Sequence, residues 1–87
     1  SLHNAYPNPF NPSTMIEYDI PQGSMQVNLS VYDLRGRLVT ELVNEVQQGS
    51  VQPYQVVWNA EMNASGLYFV QLTAGNSVKT QKIMLIK

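Results

Sequence analysis

Hydrophobic and polar side chains alternate along most of this chain, which is the pattern of β-strands that bury one face and expose the other. In the stretch 14–20, for example, Ile16, Tyr18 and Ile20 share one face, opposite two carboxylates. Short segments rich in Gly, Pro, Asn and Asp separate the alternating stretches. The pattern predicts six strands, over residues 14–20, 26–32, 38–44, 52–59, 67–74 and 77–87.

Two connections have the residue preferences of tight turns. Residues 33–36 read Asp-Leu-Arg-Gly, with Asp first and Gly fourth as in a type I turn, so we expect a hairpin tip there. Gly75 and Asn76 predict a two-residue hairpin turn before the last strand. The segment 38–46 is ambiguous, because its apolar residues also fit the spacing of an amphipathic helix. The preceding turn and the nearby Gly49 favour a strand over 38–44.

Six strands joined by turn signals, with no convincing helix, predict an all-β fold. We expect a single antiparallel β-sandwich of two sheets, immunoglobulin-like or fibronectin III-like in topology, with about six to seven strands. A small closed barrel is the alternative. The alternation places Trp58 in the core of the sandwich, beside Tyr18, Val31 and Tyr68.

The stretch 5–13, AYPNPFNPS, contains three prolines, so neither a helix nor a central strand passes through it. We interpret residues 1–5 as a linker or leader and residues 6–87 as the folded domain. Asn8 and Asn11 each precede a proline and are expected to begin turns, with the Asn side chain bonding to the nearby backbone. Tyr6 and Phe10 are the large apolar side chains here, and we expect both rings to dock on the sandwich.

Composition and charge narrow the classes of function. With 87 residues, 44% of them apolar, and no repeat, the chain is one domain. The five basic residues are scattered and the net charge is −1, which argues against a nucleic-acid partner. There is no cysteine, and no apolar run approaches the length of a membrane span. Because the chain starts at Ser1 without a methionine, we expect it to be a piece of a longer protein.

Candidate catalytic chemistry is sparse. The single histidine, His3, lies in the expected leader, so no base on the folded framework is available to activate a serine. Glu17 and Asp19 share an outward face and are interpreted as solvated surface charges rather than as a catalytic pair. No Cys or His cluster and no calcium-loop spacing is present. We therefore expect no enzymatic activity, no cofactor and no metal.

Five motifs, in order, resemble the C-terminal sorting domain of type IX (Por) secretion substrates: YPNPFNP at 6–12, VYDLRG at 31–36, WN at 58–59, SGLY at 65–68 and KIMLIK at 82–87. The sequence style is similar to that of the immunoglobulin-like domain of the flagellar hook-capping protein. Asn59 stands where the family more usually has Asp. The structural motif residues of the resemblance are Tyr6, Pro7, Asn8, Pro9, Phe10, Asn11, Pro12 and Trp58.

The resemblance implies a non-catalytic export signal at the end of a larger secreted or cell-surface bacterial protein. Its partners would be the outer-membrane secretion machinery and an N-terminal passenger domain in the same chain, exported through the periplasm and the outer membrane. The sorting-signal candidates that it implies are Gly66, Tyr68, Lys82, Ile83, Met84, Leu85, Ile86 and Lys87. A receptor would recognise the terminal strand by adding it to its own sheet, with the lysines giving selectivity. The same lysines also suit protection of a sheet edge.

Two other functions fit the same residues. A passive structural module, like a hook-cap domain or a spacer in a secreted hydrolase, needs only the fold. A carbohydrate-binding accessory module would contact sugar weakly through exposed aromatic rings. Alternation turns Tyr32 and Phe69 outward, and these two rings form a small binding patch if they lie side by side.

Overall fold

A computed structural model describes all 87 residues of the chain. Six strands follow one another without a helix: β1 (Ser13–Tyr18), β2 (Ser24–Asp33), β3 (Leu38–Gln48), β4 (Tyr54–Asn59), β5 (Gly66–Ala74) and β6 (Ser77–Leu85). They form a two-stranded sheet, β1-β4, and a four-stranded sheet in the order β3-β2-β5-β6, with every pair antiparallel. The two sheets pack as a sandwich, which confirms the predicted fold class.

The predicted strand bounds differ from the observed ones at the ends. The first strand ends at Tyr18 rather than at residue 20, the fourth begins at Tyr54 rather than at residue 52, and the last ends at Leu85. Tyr18 is opposite Tyr54, and Pro53, directly before Tyr54, has no N–H to donate to a sheet, so the pairing of these two strands stops there. The tight turn at 33–36 is present, with Gly36 at a φ of +82° and its N–H bonded to the Asp33 carbonyl.

The ambiguous segment is a strand, β3, and its helix-like spacing has a structural cause. The register between β2 and β3 shifts at two places, which leaves Val39 and Leu42 without a residue opposite them in β2. Each extra residue moves the next side chain to the other face of the strand. Val39, Leu42 and Val43 therefore all pack on the core despite their irregular spacing, whereas Val46 is exposed.

Sixteen buried apolar residues fill the space between the sheets, including Trp58, which is 4% exposed as predicted. Its ring meets Tyr68 edge-on, with centroids 5.3 Å apart, while Tyr18 stacks on Tyr54 instead, at 5.4 Å. The Tyr18 hydroxyl donates a 2.7 Å hydrogen bond to Gln47 Oε1 on the opposite sheet. Burial raises the pKa of Tyr18, so the hydroxyl keeps the proton that this bond requires.

The first six residues run antiparallel along β1 on the side away from β4. The His3 N–H donates to the Glu17 carbonyl at 2.8 Å, and the Asp19 N–H donates to the Ser1 carbonyl at 2.9 Å. Ala5 is buried. The boundary drawn at Tyr6 between linker and domain stays a prediction, but His3 lies on the folded framework rather than apart from it.

Candidate functional site

The candidate sorting residues lie on two neighbouring strands. In the register of β5 and β6, Gly66 is opposite Leu85 and Tyr68 is opposite Ile83. The pairing joins the SGLY motif to the terminal motif, although the two are about 15 residues apart in sequence. Gly66 has a φ of +148°, a backbone conformation that side-chain-bearing residues rarely adopt, at the point where the chain enters β5.

These residues divide into a buried set and an exposed set. Tyr68, Ile83 and Leu85 point into the core, and the Tyr68 hydroxyl donates a 2.5 Å hydrogen bond to the Ala64 carbonyl. The alternate positions of the terminal strand face solvent, and Met84 is 38% exposed. The side chains of this motif that a partner can reach directly are Lys82, Met84, Ile86 and Lys87.

Lys87 is exposed but not free. Its backbone N–H donates to Ser65 Oγ at 3.0 Å, and its ammonium donates to the Glu61 carbonyl at 2.5 Å. The last residue is thereby tied to the connection between β4 and β5. Lys82 makes no ion pair and no side-chain hydrogen bond, so its ammonium is available to an acidic partner.

The proline-rich motif occupies the free edge of β6. The Asn8 side chain donates to the Lys82 carbonyl at 3.2 Å and accepts from the Met84 N–H at 3.0 Å. Beside it, Phe10 accepts from the Ile86 N–H at 3.0 Å and donates its own N–H to the Met84 carbonyl at 2.9 Å. The primary amide of Asn8 thus replaces a peptide group of a neighbouring strand.

This contact corrects two expectations. Asn8 does not bond to the nearby backbone as a turn-starting Asn does, because its donor and its acceptor are both used by β6. Strand addition at residues 82–86 is also blocked while the loop stays in place, because that edge already has its hydrogen bonds. Along the same edge, Val78 and Thr80 have no partner for their outward backbone groups.

Phe10 anchors this loop and Tyr6 does not. Phe10 is 2% exposed, and its ring lies 5.6 Å from that of Trp58 in a tilted arrangement. Docking is therefore confirmed for Phe10. It is wrong for Tyr6, which is 77% exposed and is held only through its backbone, in hydrogen bonds with Met15. Residues four apart share a face in a regular strand, so the separation of the two rings reflects the bends of the proline-rich loop at residues 7–9 between them.

The outer face of the four-stranded sheet has one row of side chains, three with large apolar groups and one lysine, that crosses all four strands. Leu38 is opposite Tyr32, Tyr32 is opposite Phe69, and Phe69 is opposite Lys82. We call these four side chains the outer row. Tyr32 and Phe69 lie side by side along an open depression, and Met84 and Leu67 form the next pair on the same face. Alternation predicted that the two rings face outward, but only the register shows that Tyr32 adjoins Phe69 and that Phe69 adjoins Lys82.

His3 forms a cluster with Glu17, on β1, and with Asp19, just after β1. The two carboxylates are partly exposed, as expected of surface charges, but both are paired with a histidine that was placed in the leader. His3 Nδ1 lies 2.9 Å from Glu17 Oε1, and Nε2 lies 2.5 Å from Asp19 Oδ2. Asp19 also lines an open depression on the surface. His3 and Glu17 are 14 residues apart in the chain, and no feature of the sequence indicates that they are in contact.

Other features of the chain place few constraints on its chemistry. No group of three or more His, Cys, Asp or Glu side chains is arranged to hold a metal ion. The chain forms no helix with the length and apolar character that crossing a membrane would require. All buried side-chain nitrogen and oxygen atoms have hydrogen-bond partners within the chain, so no buried polar group is left over for a ligand.

Comparison with known families matches residues 4–87 to the secretion system C-terminal sorting domain family. Comparisons with curated proteins and with solved structures found no match. The matched residues cover nearly the whole chain, from the proline-rich motif to the terminal strand, in agreement with the resemblance seen in the five motifs. Membership indicates export to the cell surface or secretion through the outer membrane. The chain belongs to the family of secretion system C-terminal sorting domains.

Proposed function

We propose that this domain is a non-catalytic export signal for a passenger carried N-terminal to it, and that a protein of the outer-membrane secretion machinery recognises the outward face of its terminal strand. The family match over residues 4–87 carries the proposal. The passenger would supply any enzymatic or adhesive activity, and the sorting domain would supply a folded shape that the machinery reads.

Recognition through side chains, rather than through strand addition, follows from the closed edge of β6. Asn8 and Phe10 use the outward N–H and carbonyl groups around Met84, so a receptor strand would have to displace them. The outward side chains need no such displacement. Lys82 stands at the end of the outer row next to Phe69, which offers a cation beside an apolar surface. An acidic and apolar receptor surface complements this arrangement.

Export of a reporter passenger tests this role for Lys82. The passenger is fused ahead of the domain and expressed in a bacterium with a type IX machinery, and the exported fraction is measured for Lys82→Glu. We expect a fall of roughly tenfold or more, because a charge reversal puts two like charges together at the contact. Thermal unfolding should stay near wild type, since Lys82 is exposed and its side chain makes no bond.

Lys79→Glu is the matched control. Lys79 is an exposed lysine on the same strand, three residues before Lys82, so its side chain leaves the strand on the other face. Its partner on β5 is Leu72 rather than Phe69. We expect export of this variant to remain close to wild type. Equal export of the Lys82 and Lys79 variants, both folded, would refute recognition through the outer face. Deletion of residues 82–87 is a poorer test, because it also removes Ile83 and Leu85 from the core.

A further inference from the structure

His3 lies between two carboxylates, each within hydrogen-bond distance of a different ring nitrogen. Nδ1 faces Glu17 Oε1 at 2.9 Å and Nε2 faces Asp19 Oδ2 at 2.5 Å. An ionised carboxylate only accepts hydrogen bonds, whereas a neutral imidazole has a single N–H to donate. Only the imidazolium form, with a proton on each nitrogen, satisfies both contacts. The geometry therefore selects the charged form of His3.

The surroundings of the ring are otherwise almost free of charge. Gln55 on β4 donates to the second oxygen of Glu17 at 2.8 Å. On the other side, the Gln81 amide of β6 bonds to the His3 carbonyl at 2.6 Å. Lys79 lines the same depression as Asp19 and is the one other cationic side chain there.

The terminal ammonium of Ser1 also adjoins this cluster, in a 2.9 Å hydrogen bond with the Asp19 carbonyl. A chain in which Ser1 is acetylated removes this charge and leaves the three side chains of the cluster in place.

We propose that His3, Glu17 and Asp19 form a pH-dependent clip that fastens the leading segment, residues 1–5, to β1. With His3 protonated, the clip adds two charge-assisted hydrogen bonds to the backbone bonds between this segment and β1. With His3 neutral, the ring has one N–H, so one of the two carboxylates loses its hydrogen bond from the ring, and the segment keeps the other ring bond, its bonds to Gln81 and its backbone bonds to β1. This inference concerns the attachment of the segment and does not depend on the proposed export role.

The direction of the pH dependence follows from the two shifted groups. The hydrogen bond to Glu17, then that to Asp19, raises the pKa of His3 above its ordinary 6.5, so the stabilisation is complete below 6.5 and is lost as pH rises through the raised pKa. Hydrogen bonds from Gln55 and then His3 lower the pKa of Glu17 below 4.5, so its share is complete above 4.5 and is lost as pH falls through the lowered pKa. The clip is fully formed between about pH 4.5 and 6.5, and it opens only as the pH passes the raised pKa of His3 or the lowered pKa of Glu17.

The clip is tested by NMR on the acetylated chain across pH 4–9. The His3 ring signals report its pKa, and hydrogen exchange of the His3 and Asp19 amides, corrected for the intrinsic rate, reports the attachment of the segment. We expect a His3 pKa above 6.5 and a fall in protection of roughly two- to fivefold as His3 deprotonates, the range typical of exposed ion pairs.

Three variants separate the clip from general pH effects. Glu17→Gln should bring the His3 pKa down toward 6.5, whereas Glu45→Gln, a carboxylate on β3 with no contact to His3, should leave it unchanged. In His3→Gln, we expect the exchange rates of the amides at positions 3 and 19, corrected for the intrinsic rate, to stay constant through neutral pH. A wild-type His3 pKa at or below 6.5, or the same loss of protection in His3→Gln, would overturn the proposal.

Discussion

Replacement of Phe10 by alanine tests whether the proline-rich motif is an integral part of the fold. The ring is 2% exposed and contacts Trp58, with centroids 5.6 Å apart, so its removal leaves a cavity between the loop and the core. Phe→Ala substitutions in cores cost about 3–5 kcal/mol. The backbone bonds of residue 10 to β6 do not involve the ring and need not be lost directly.

That loss is large for a domain of this size. At the usual per-residue stability, 87 residues give a free energy of unfolding of about 4–13 kcal/mol. A domain this small loses about 4–8 °C in melting temperature for each kcal/mol. We therefore expect Phe10→Ala to lower the melting temperature by roughly 12 °C or more. Urea unfolding followed by Trp58 fluorescence measures the same change as a free energy.

Tyr6→Ala is the matched control, because it removes an aromatic ring from the same motif. Tyr6 is 77% exposed and bonds to Met15 only through its backbone, so we expect a change within about 0.5 kcal/mol. The comparison cancels any general effect of altering the loop. Equal stability of the two variants would refute the claim that the Phe10 ring anchors the motif.

Two further substitutions probe separate contacts. Asn8→Ala removes both side-chain bonds to β6, so we expect it to lower the free energy of unfolding by about 1–2 kcal/mol and to speed hydrogen exchange at the Met84 amide. Asn11→Ala removes no such bond and should leave exchange at that amide unchanged. Gly49→Ala would place a Cβ atom in overlap with the Pro21 carbonyl oxygen. We expect it to lower the free energy of unfolding by about 1–3 kcal/mol, and a chemical-denaturation curve that coincides with wild type would contradict this close approach.

The fold was predictable from sequence because alternation, turn residues and strand spacing all indicate the same architecture. Tyr18, Val31 and Trp58 fall in the core as their alternation predicts. The pattern is least clear in β3, where two register shifts break the alternation and give a spacing like that of a helix. A bulge depends on how two strands pair, so one strand read alone does not reveal it.

Long-range contacts of polar side chains were not predictable from sequence. Asn8 bonds to residues more than 70 positions away. His3 bonds to carboxylates that the alternation pattern predicts to face solvent. Both contacts form because the first ten residues lie along strand edges, with His3 beside β1 and Asn8 beside β6. Local pattern describes which face a side chain takes, but not which other segment covers that face. The candidate sorting residues were found through family motifs, and the register then showed that they adjoin the outer row.

Export of a passenger with and without the domain shows whether this chain carries a sorting signal. A reporter that carries an ordinary signal for transport into the periplasm is expressed in a bacterium with a type IX machinery, alone or fused ahead of residues 1–87. The cell-surface and medium fractions are then compared with the periplasmic fraction. We expect the fused reporter to reach the surface or the medium and the unfused reporter to remain in the periplasm. Equal retention of the two, with the fused domain folded, would contradict a sorting function for this chain.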